Sequence, residues 1–162
     1  MQDYDQILDV ILNHETRLIR PDDLHRGLLT ACEIGHSKVL KRILQTPDVN
    51  AGVSNNILFM TAVENGHLNV IQELMNKTSI NPSEADNALE IACDFGYIDI
   101  VHFFLFGDNS TLFNPAADGN YPIRIASYRG HSEIVSMLLQ SLMVDDYNKR
   151  GYESISTELD AS

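Results

Sequence analysis

The chain has 162 residues, 44% of them hydrophobic and 21% charged, a balance that fits one folded domain of ordinary size and excludes wholesale disorder. Lysine plus arginine is 11 and aspartate plus glutamate is 23, for a formal net charge of -12. That sign is wrong for a nucleic-acid or anionic-lipid surface, and neither is expected as a partner. No stretch is apolar for long enough to suggest membrane insertion.

The N-terminal segment carries Asp3, Asp5 and Asp9 among Ile7, Leu8, Ile11 and Leu12, so it lacks the basic start and unbroken apolar core of a secretion signal. Beyond residue 21 the chain repeats itself. Alanine is followed four places later by glycine at Ala31/Gly35, Ala62/Gly66, Ala92/Gly96 and Ala126/Gly130, with His36, His67, Tyr97 and His131 next in line. Four and eight places after each glycine begin two apolar pairs. These are Val39-Leu40 with Ile43-Leu44, Val70-Ile71 with Leu74-Met75, Ile100-Val101 with Phe104-Leu105, and Ile134-Val135 with Leu138-Leu139. Such spacing predicts a helix after every glycine.

Each unit therefore reads as a short helix, a glycine turn, a second helix and a loop. The glycine suits a left-handed cap on the first helix, which a β-carbon would strain. Gly107 has no counterpart in the other units and is expected to tolerate substitution better than Gly66. In each loop an apolar residue precedes Asn or Asp, as Val49-Asn50, Ile80-Asn81, Phe113-Asn114 and Val144-Asp145. Pro47, Pro82 and Pro115 fall at these joints and Pro122 at a helix start, none inside a helical pattern.

Histidine and cysteine offer no metal or catalytic pattern. His36, His67 and His131 are register equivalents on stacked units roughly 10 Å apart, whereas ligands of one zinc lie about 2 Å from the metal. A turn histidine bonding locally or to the next unit is the simpler reading. Cys32 and Cys93 stand two units apart, on the order of 20 Å, too far for a disulfide, which needs α-carbons within about 7 Å. They are expected to be reduced, buried and small, in a reducing, cytoplasmic compartment; no sequence feature supports translocation as an effector. No phosphate loop, nucleophile elbow or His-Glu-x-x-His occurs, so no enzyme activity and no cofactor is expected.

Gly-His followed by the two apolar pairs resembles the ankyrin repeat family over roughly residues 22–156. The first helices match less well: only Tyr121-Pro-Ile-Arg124 keeps the proline of the family's Thr-Pro-Leu-His. The resemblance implies an all-α helix-turn-helix solenoid with short loops or fingers between units. Residues 1–21 are expected to form an N-terminal capping half-repeat, 22–145 four repeats, and 146–162 a partial fifth repeat with an acidic tail. With little to cover the last full unit, Leu138 and Leu139 are expected to be partly open, and self-association through the C-terminal end follows as an expectation.

The resemblance also implies work as a protein-protein interaction module, an adaptor or scaffold; the alternative is a regulatory or targeting segment of a larger enzyme or secreted effector. Between Lys77 and Arg124 there is no basic residue, and acidic residues crowd the third unit. In the family, the two positions before each glycine and those before the first helix face the concave, partner-binding side. Carried over by register, they place Glu84, Asp86, Asp94, Phe95, Asp118, Asn120, Tyr128, Arg129 and Tyr152 on an acidic, aromatic-bearing face suited to a protein with a basic segment.

Overall fold

The computed structural model describes residues 21–45, 55–77 and 80–144. The N-terminal half-repeat, Val49-Asn50, the fifth repeat and Tyr152 lie outside the described residues. Those described are helical with no strand: α1 Pro21–Ile34, α2 Ser37–Leu44, α3 Asn55–Glu64, α4 Leu68–Lys77, α5 Pro82–Phe95, α6 Ile98–Phe106 and α7 Ala117–Arg129, then α8 over 132–144. A 3-10 turn, Ser110–Leu112, follows α6. The chain divides into two compact units, Met1–Glu84 and Ala85–Ser162, the boundary falling one turn into α5.

The alanine-to-glycine spacing is a capping motif repeated four times. Gly35, Gly66, Gly96 and Gly130 all adopt positive φ, between 74° and 81°. The amide of the following residue returns to the alanine carbonyl five places back, in the bonds His36 to Ala31, His67 to Ala62, Tyr97 to Ala92 and His131 to Ala126, each 2.9 Å. This is the Schellman arrangement, which satisfies a carbonyl at the helix end and turns the chain into the next helix. The four alanines are buried, since a larger side chain there would hold neighbouring helices apart.

In the first unit α1 packs on α2 and on α3, and α2 on α4. Leu28, Leu40, Phe59, Ile71 and Leu74 fill the interior. Lys41 on α2 reaches Glu73 on α4 at 3.2 Å. Asn81 prepares α5: its Oδ1 accepts hydrogen bonds from the Ser83 amide and hydroxyl, while Ile80 beside it is buried. Apolar-then-Asn is thus a plug followed by a cap. Pro82 is the first residue of the helix rather than a loop residue, where its missing amide costs nothing.

The second unit repeats the device. Phe113 stacks on Phe104 with ring centroids 4.1 Å apart, and Asn114 Oδ1 accepts the Ala116 amide. Asp118, Gly119 and Asn120 are all left-handed, so right-handed helix in α7 begins only at Tyr121, with Pro122 in its first turn. One expectation needs correction. Leu138 is fully buried; the open residue of that pair is Leu139 alone, because α8 turns Ile134 and Leu138 inward at helical spacing. Gly66 is left-handed (φ 74°) and Gly107 is not (φ -81°), although a β-carbon on Gly107 would run into the Phe103 carbonyl, so each resists a side chain for its own reason.

Candidate functional site

The C-terminal ends of α5 and α7 lie together in the second unit because both helices close with the same glycine turn. Two repeat-to-repeat contacts fix their spacing. The His131 Nε2 donates to the Asp94 carbonyl at 3.1 Å, and Arg129 spans back to the Asp94 carboxylate with both Nε (2.6 Å) and Nη2 (3.1 Å). The bidentate geometry orients the guanidinium, and its hydrogen bonds to Asp94, with the charge of that carboxylate, raise the Arg129 pKa further. In the first unit the His67 Nε2 likewise donates to the Glu33 carbonyl at 2.9 Å. His67 and His131 thus serve as bonds to the preceding repeat.

Beside this clamp stand two exposed rings. Phe95 is 58% exposed and Tyr128 83%, each next in sequence to one member of the ion pair. Phe95 stacks on Tyr97 at 5.7 Å with an 11° angle between planes, which holds it in one orientation. Tyr128 follows from the packing of α7: Ala126 is the buried residue, and two places on the helix faces outward.

The acidic residues do not behave alike. Asp86 Oδ1 accepts the Asn114 amide at 2.9 Å and Asp94 is occupied by Arg129, so these two carboxylates serve the chain's own architecture. Asp118 and Asn120 are exposed in the left-handed turn. Glu84, half-buried in the first turn of α5, falls in the first unit rather than with the others. The acid that sequence reading missed is Glu90. Burial, then the charges of Asp118 and Asp86, raise its carboxyl above the ordinary value of 4.5. Its signal was present in the spacing Asp86, Glu90, Asp94, one acidic stripe along a helix.

Cys32 and Cys93 are free and buried. Burial first, and then Glu33 and Glu90 respectively, push both thiols up to about 12, so neither is a nucleophile at neutral pH. Among the described residues no three His, Cys, Asp or Glu side chains converge as a metal-binding group, and no helix is long and apolar enough to cross a membrane.

A family model described as ankyrin repeats in three copies matches residues 28–114, more than half of the chain, and a single ankyrin repeat model matches residues 118–150. No curated protein and no solved structure matches the chain. Ankyrin repeats are in general protein-protein interaction modules and typically carry no catalytic activity.

Proposed function

Since the chain belongs to the ankyrin repeat family, we propose that it is an adaptor or scaffold that binds a protein partner on the edge carrying Phe95 and Tyr128. One observation carries the reading: two large rings stand open to water, each next in the chain to one member of a bidentate ion pair that the fold itself supplies. Exposed aromatic side chains cost solvation without contributing to the core, and at interfaces they supply most of the binding energy. Arg129 adds a planar surface on which a partner's side chain can stack.

Charge narrows the partner. Asp86 and Asp94 are already engaged, so a partner's lysine or arginine would answer to Glu90 and Asp118, whose like charges repel one another. A peptide or loop with an apolar anchor and a nearby basic residue fits this arrangement. The test is capture from lysate with the intact chain and with the Phe95→Ala/Tyr128→Ala variant. Proteins retained by the first and lost by the second, with equal melting temperatures, are the expected result. Identical retention by both chains overturns the reading.

A further inference from the structure

One row on the solvent face of α6 departs from the repeat. Ile98, His102 and Phe106 follow one another at four-residue spacing, and all three are exposed, Ile98 at 40% and Phe106 at 39%. Counted from the turn glycine, the same three places hold Ser37, Lys41 and Gln45 in the first repeat, Leu68, Gln72 and Asn76 in the second, and Ser132, Ser136 and Gln140 in the fourth. The last place is thus polar in every repeat but this one. The Phe106 ring lies against the His102 imidazole with centroids 5.2 Å apart, so the two side chains form one surface. The core does not require them, since α6 already buries Ile100, Val101, Phe104 and Leu105. One exposed apolar side chain needs no explanation, whereas a row of them along a helix marks a contact site.

We propose that this row docks an amphipathic helix of a partner protein, one with apolar residues at four-residue spacing between lysines or arginines. Side chains four residues apart form the ridges that fit the grooves of a second helix. From Ile98 to Phe106 the row extends about 12 Å, long enough to meet three anchors on one helical face. Charge selects the partner. Asp99 stands at the start of the row and Asp108 just past its end, both exposed, and there is no lysine or arginine between Lys77 and Arg124. Where α6 has Asp99, the first repeat has Lys38. A helix with basic ends therefore meets complementary charge at both ends of the row. A second copy of this chain does not. Two-fold pairing sets row against row, so in an antiparallel pair Asp99 of one copy falls near Asp108 of the other, and each copy carries a net charge of -12. The same charges repel an anionic membrane surface. The row runs along α6 away from the turn that follows Phe95, and shares no residue with the edge carrying Phe95 and Tyr128.

The probe is a fluorescent, alanine-based synthetic peptide of about four helical turns, with leucines at four-residue spacing and lysines at both ends; a control peptide has glutamates at its ends instead. In anisotropy titrations with the full chain, the lysine peptide should bind at least about tenfold more tightly than the glutamate peptide, and the difference should shrink as salt is raised. Phe106→Gln and Ile98→Ser install residues already found at those places in other repeats. Each should weaken binding by about fivefold or more at an unchanged melting temperature, whereas the Phe95→Ala/Tyr128→Ala variant should bind as the unsubstituted chain does. Equal binding of the two peptides, binding of neither, or binding untouched by Phe106→Gln and Ile98→Ser overturns the proposal. Loss in the Phe95→Ala/Tyr128→Ala variant alone also overturns it, and assigns the peptide to that edge. So does a concentration-dependent dimer, seen by sedimentation, that Phe106→Gln abolishes.

Discussion

The imidazole of His131 occupies the space in which a side chain on Gly96 would begin. A β-carbon built on Gly96 would stand 2.6 Å from His131 Cε1, and one built on Gly35 would stand 2.7 Å from His67 Nδ1. The glycine of one repeat and the histidine of the next are therefore a single device: the glycine makes the turn and vacates the site in which the next repeat's histidine reaches a backbone carbonyl.

This predicts a difference between two glycines with nearly the same backbone. Gly96 and Gly130 have φ of 77° and 81°, so alanine at either incurs about 1–2 kcal/mol of left-handed strain. At Gly130 a β-carbon meets nothing within 4 Å, and the loss should end there. Gly96→Ala also displaces His131 and should lose a further 1–3 kcal/mol, as overpacking does, roughly. Urea unfolding of the two variants checks this. In a double-mutant cycle, His131→Ala should remove most of the excess at Gly96 and none at Gly130.

Repetition is what made the fold legible. Ala, Gly and the paired apolar residues recur at one period, so each helix and turn could be placed from four independent examples. The histidine role was legible for the same reason. The site was less so, because its content lies in departures from the repeat. Phe95 and Tyr128 could be placed on an exposed edge by register alone, but periodicity does not say which carboxylates the chain has already used. Asp94 with Arg129 and Asp86 with the Asn114 amide are contacts across 35 and 28 residues. Glu90 escaped notice because it matters only through what surrounds it. The obstacle to a side chain at Gly107 was not legible, because a missing counterpart says nothing about a carbonyl one turn away.

The buried thiols give the protein an alkaline limit. Each has an ordinary value of 9.0 and is held at about 12 in the fold. The folded state thus keeps protons that the unfolded state releases, and the stabilisation is complete below pH 9 and is lost progressively between pH 9 and 12. Unfolding midpoints measured from pH 8 to 11 should fall, and Cys32→Ala with Cys93→Ala should flatten that fall. At neutral pH a thiol reagent should label the native chain only as fast as it opens, and both cysteines at once in denaturant.

Glu90 and Asp118 should pull stability and binding in opposite directions. Because the folded carboxyl of Glu90 titrates above its unfolded value, proton binding favours the fold at low pH, and that contribution is lost as pH rises through the folded value. At pH 7 the ionised Glu90 therefore works against folding, and Asp118→Asn, which removes a neighbouring like charge, should make the chain slightly more stable. The gain is below about 0.5 kcal/mol, since both groups reach solvent that screens them, and it should fade as pH falls below the carboxylate range. If the proposed edge takes a basic segment, the same substitution should weaken its binding, chiefly by slowing association and reducing the salt dependence. Melting temperature and association rate, measured on one Asp118→Asn preparation at low and high salt, check both signs together. A variant that is more stable yet binds its captured partner at an unchanged rate would place the partner's charge away from Glu90 and Asp118, leaving the two rings to account for recognition.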